Sequence, residues 1–128
     1  MTMMELTDQQ FDQLITRAMD ELPQAYITNL HNVAIVQQDT PTANQITKMK
    51  LDNHHVLLGL FEGVPLTQQG SGFSGMLPSK ITLFKNSILA VVNSDAELFE
   101  QIKRTIWHEI AHYYGLNHSH MNALQQKK

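Results

Sequence analysis

His108-Glu109-Ile110-Ala111-His112-Tyr113-Tyr114-Gly115-Leu116-Asn117-His118 is the stretch that decides this chain. On a helix, residues four apart share one face, with their Cβ atoms about 6 Å apart. The His108 and His112 imidazoles can therefore close on one metal ion at roughly 2.0–2.1 Å each. Glu109 lies about 100° round the helix from His108, within reach of the ion's open side without being a ligand. A carboxylate placed there can take a proton from a metal-activated water and pass it to a leaving amine. Gly115 is suited to the left-handed conformation that ends a helix and turns the chain, so His118 can swing back as a third ligand. Three protein ligands and one open position are the arrangement of a catalytic zinc, and one Zn2+ ion is the expected cofactor. HExxH arises by chance in roughly 2% of chains of this composition, and the later Gly and His make the extended motif far rarer.

The surrounding helix is marked at both ends. Ser94-Asp95-Ala96-Glu97 reads as a capping box that opens it, and Gly115 stops it after about Tyr114. Leu98, Ile102, Ile106 and Ile110 recur every four residues as a buried stripe. His108 and His112 fall about 200° away, on a site-lining or solvated face. His120 leaves on another face of a new element and is read as a non-ligand. His54 and His55 read as ordinary surface residues, and nothing specific attaches to His31. Tyr113 or Tyr114 could donate to an oxyanion, but packing is the simpler expectation. Met121 reads as core filling, since Met occurs seven times.

Working outward, Thr7-Asp8-Gln9-Gln10 is a capping box opening a helix with apolar Phe11, Leu14, Ile15, Ala18 and Leu22, stopped at Pro23. A helical turn is expected over residues 24–30. Strands are expected over residues 32–38 (NVAIVQQ), 56–62 (VLLGLFE) and 80–84 (KITLF). Residues 40–50 read as a loop with one helical turn, and residues 86–92 (NSILAVV) as strand or short helix. Residues 63–78 hold four of the six Gly and two of the four Pro, so no regular element is expected there. That segment is either a plain connection or a flap facing substrate. Asn117 is a candidate cap for a last short helix.

Composition bounds the rest. The 128 residues suit one domain, 1–128, with one core. The absence of Cys excludes disulfides, thiolate metal sites and cysteine nucleophiles. A net charge of −3 argues against a nucleic-acid partner. No run reaches the roughly 18 apolar residues of a membrane span, and the N-terminus MTMMELTDQQ lacks a signal peptide's pattern. A cytoplasmic location is therefore expected. Four of the seven His fall within residues 108–120, which concentrates the chemistry in one place.

HEIAHYYGL, LLGLFEGVPLT at residues 57–67 and LPSKITLF at residues 77–84 together resemble the small bacterial zincin-like metallopeptidase family. The resemblance implies an α+β fold: a minimal zincin-like core, with a small mixed sheet of three to four strands packed against an N-terminal helix and the long HExxH helix. It implies His108 and His112 as ligands and Glu109 as the catalytic carboxylate. The family's third ligand position is commonly acidic, whereas this chain has His118. That makes the local motif metzincin-like, HExxHxxGxxH. Only ten residues follow His118, so a metzincin's downstream Met turn is not expected. In larger zincins an edge strand binds extended peptide by strand addition, and residues 80–84 are the expected counterpart.

Three functions fit these residues. The first is a zinc peptidase, with a peptide or protein as partner. The second is a metal-binding or protein-interaction module without turnover, since a chain this small has little wall from which to build a cleft. The third is a metal-dependent endoribonuclease. Ribosomal-RNA maturation endoribonucleases share the His spacing, but they typically carry Gly where this chain has Glu109. Two Arg and the negative charge also disfavour RNA.

Overall fold

The structure is a computed structural model that describes residues 6–30, 32–48, 57–63 and 79–116. Its elements run α1 (Asp8–Asp20), α2 (Gln24–Thr28), β1 (Val33–Gln38), α3 (Ala43–Lys48), β2 (Gly59–Glu62), β3 (Ser79–Phe84), α4 (Lys85–Ala90) and α5 (Asp95–Tyr114). The strands form one mixed sheet in the order β1-β3-β2. β1 runs parallel to β3, and β2 runs antiparallel to it. The fold is thus the expected α+β arrangement, with α1 and α5 packed on a small mixed sheet.

Local chemistry explains the helix limits. Thr7 caps α1 as expected: its Oγ1 accepts from Gln10 N–H at 3.1 Å, and Gln10 Oε1 accepts from Thr7 N–H at 2.8 Å. Ser94 caps α5 in the same way, accepting from Glu97 N–H at 3.1 Å. The return arm differs from the expected box, because Glu97 Oε1 accepts from Asn93 N–H, one residue before the cap. At the far end Gly115 takes φ 76°, a left-handed conformation that costs glycine little. The Leu116 N–H then reaches back to the Ala111 carbonyl at 2.9 Å, closing the last turn.

The core lies between the two long helices and the sheet. Phe11, Ile15 and Ala18 of α1 meet Leu98, Ile102, Ile106 and Ile110 of α5 over Ile81 and Leu83 of β3. The stripe is as expected, but α5 is buried far more widely. Thr105, Trp107, Glu109 and Tyr113 are buried as well, because the sheet and α2 cover further faces of the helix. Trp107 meets the Tyr26 ring edge-on at 5.5 Å.

Two expectations change, and one open alternative is resolved. β3 has a strand on each side, so residues 80–84 are central and cannot take an added peptide strand. An apolar alternation identifies a strand but does not fix its place in the sheet. β2 is shorter than expected: it starts at Gly59, after a non-strand lead-in at Leu57 and Leu58. Residues 85–90 resolve as helix α4, although their apolar run also suits a strand. Buried Lys85 anchors α4 by an ion pair of 2.9 Å to Asp8. The reading of residues 63–78 and that of a last helix after Asn117 lie outside the described residues, apart from Gly63.

Candidate metal centre

The site is built on the last turns of α5. Four-residue spacing places the His108 and His112 rings 4.5 Å apart, in edge contact. Between them Glu109 turns inward and is only 5% exposed. One Glu109 carboxylate oxygen, Oε1, lies 3.2 Å from His112 Nδ1. The hydrogen bond to this carboxylate is the main cause that raises the His112 pKa above the ordinary imidazole value, while burial works in the opposite direction. With the Nδ1 proton donated to Glu109, Nε2 is the ring nitrogen with a free lone pair.

His108, Glu109 and His112 each offer a ligand atom, and these atoms all lie within 4.8 Å of one another. Two imidazole nitrogens suit a borderline divalent ion, and a carboxylate beside them suits the base that works next to it, so the residues fit a metal. His118, His120, His31, His54, His55 and Met121 lie outside the described residues. The tyrosines pack: Tyr113 is buried against Phe61, with ring centroids 6.1 Å apart. The Tyr114 hydroxyl donates to the Tyr26 carbonyl at 2.7 Å. Burial is the main cause raising the Tyr114 phenol's pKa, which keeps it a protonated donor.

Gly59 packs against the Glu109 stem, a contact that the sequence alone does not reveal. A Cβ on Gly59 would stand 2.6 Å from Thr105 Cγ2 and 3.3 Å from Glu109 Cγ. The bare backbone of β2 therefore presses directly on α5 and walls in the Glu109 stem. The available signal is a glycine inside the apolar run VLLGLFE, since a strand glycine often marks close backbone approach. Beside this contact lies a cavity of about 310 Å³, lined by Leu57, Leu58, Gly59, Gln101, Arg104, Thr105, His108 and Glu109. A larger cavity of about 580 Å³, between α1 and the first turns of α5, lies away from the His pair.

A mixed sheet packed on a helix that presents two imidazoles four residues apart, with an inward carboxylate beside them, defines the HExxH class of metal-site folds. The family profile of zincin-like metallopeptidases matches residues 30–127, and the chain belongs to that family. No curated protein matches it. Among solved structures, a conserved hypothetical protein from Thermo thermophilus is similar in fold. It is 22% identical with a TM-score of 0.54, and the match covers 95% of this chain and 100% of that one. Among the described residues, no helix is long and apolar enough to cross a membrane.

Proposed function

We propose that this chain is a zinc-dependent peptidase that hydrolyses a peptide bond with Glu109 as general base. The observation that carries this reading is the buried Glu109 carboxylate, bonded to His112 and within 4.8 Å of a His108 ring nitrogen. His108 and His112 would hold one zinc ion, with His118 as the expected third ligand. Bound there, zinc supplies Lewis acidity that polarises the scissile carbonyl and eases deprotonation of the attacking water. Glu109 accepts the water's proton at its carboxylate and returns it to the leaving nitrogen. Burial against Gly59 limits the rotamers of Glu109 and keeps that carboxylate aimed. β2 has β3 on one side only among the described residues, so its other edge is the strand beside the site that could meet extended peptide.

The test pairs elemental analysis of the purified protein with peptide-library digestion by wild type and Glu109→Gln. One zinc per chain is expected, with cleavage that Glu109→Gln abolishes while zinc stays bound. Cleavage indifferent to the substitution overturns the general-base role. No zinc uptake, even with zinc supplied, overturns the metal assignment.

A further inference from the structure

Arg104 sits one turn before His108 on α5, and both line the 310 Å³ cavity. The two positions are about 6 Å apart along the helix axis. Arg104 is exposed, and one hydrogen bond orients it: Nη1 donates to Gln101 Oε1 at 3.3 Å. Gln101 in turn donates from Nε2 to Thr105 Oγ1 at 3.0 Å, which ties this arm to the buried side of α5. Most of the guanidinium's five N–H donors are left for another partner. The neighbouring carboxylates of α5 are engaged elsewhere. Glu100 is 3.3 Å from Lys103 Nζ, and Glu97 accepts from Asn93. Among the described residues, none forms an ion pair with Arg104.

The opposite wall is apolar and fixed. The Leu58 carbonyl accepts from Phe84 N–H at 2.9 Å, so β3 holds the Leu57–Leu58 lead-in over the cavity. Arg104 therefore sets a guanidinium charge on the wall of the cavity that His108 also lines. An anionic group is attracted to that guanidinium. A guanidinium fork suits a carboxylate in particular.

We infer that Arg104 is a specificity-determining residue that binds a substrate carboxylate next to the metal centre. The inference rests on the peptidase reading of that centre. An extended chain advances about 3.3–3.6 Å per residue, so the carboxylate lies within about two residues of the scissile bond. Its source is either a free C-terminus or an Asp or Glu side chain.

The experiment uses zinc-loaded Glu109→Gln protein, with and without Arg104→Gln, and measures binding by calorimetry. Four short peptides serve as probes, with Glu or Gln beside the tested bond and a free or amidated C-terminus. The expected result is about tenfold tighter binding of one carboxylate form over its neutral counterpart. That preference vanishes in Arg104→Gln, partly returns in Arg104→Lys, and weakens with salt. Whether it follows the Glu side chain or the free C-terminus names the source. Equal binding of all four peptides, no binding at all, or a preference that survives Arg104→Gln overturns the inference. Wild-type digests separate the two readings. Cleavage without an Arg104-dependent preference leaves the peptidase and removes the subsite. Arg104-dependent binding without cleavage leaves the subsite and removes the peptidase.

Discussion

The two flanks of α5 are built by opposite means. Toward α1, the helix presents Leu98, Ile102, Ile106 and Ile110, aliphatic side chains that fill a shared volume. Toward β2, it presents Thr105 and Glu109 to a glycine with no side chain at all. The first flank is held by volume, which neighbouring side chains share and partly adjust. The second is held by close approach, where one added carbon meets a stiff β-branched side chain. Stability concentrates on the first flank and aim on the second.

The largest effect is expected from Glu109→Gln, which should cut peptide turnover by about 10²–10⁴-fold in a steady-state assay. The unfolding midpoint should barely move, because the amide fills the same space. Ile106→Ala should act the other way, costing about 2–5 kcal/mol in denaturant unfolding, since the residue is fully buried. Gly59→Ala should cost about 1–3 kcal/mol by overpacking and should also lower turnover by displacing Glu109. Adding Thr105→Ser removes the clashing Cγ2 and keeps the hydroxyl that Gln101 contacts, so the double variant should recover much of both losses. If Gly59→Ala alone is silent, the close-approach flank is not what aims Glu109. The smallest effect is expected at the rim of the first flank, where Thr7→Ala removes the α1 cap at about 1 kcal/mol in the same unfolding assay.

Legibility in the sequence follows the range of each interaction. α1 and α5 are readable because their punctuation is local: Thr7, Ser94 and Gly115 act within a few residues of themselves. The His108–His112 spacing is local too. The position of β3 is not readable, because its partners Val33 and Glu62 are chosen by global topology and not by its own alternation. Gly59 against Thr105 and the Gln101–Arg104 arm lining the same cavity depend on which strand lands on which helix face. α4 is ambiguous because NSILAVV suits either state, and the distant Asp8 contact to Lys85 anchors the helix that forms.

The register of the sheet carries a consequence for how the molecule assembles. Val33 pairs with Ser79, a separation of 46 positions that holds along the whole parallel pair. Even the nearest antiparallel partners, Glu62 and Lys80, are 18 positions apart. Neither pairing is a tight hairpin that could nucleate alone, so each must close a long loop before it gains a hydrogen bond. α5, by contrast, makes all its backbone bonds within 20 residues. The two imidazoles thus acquire their spacing from local winding, on the timescale of a helix. Enclosure of Glu109 instead depends on Gly59, a residue 50 positions away in the chain.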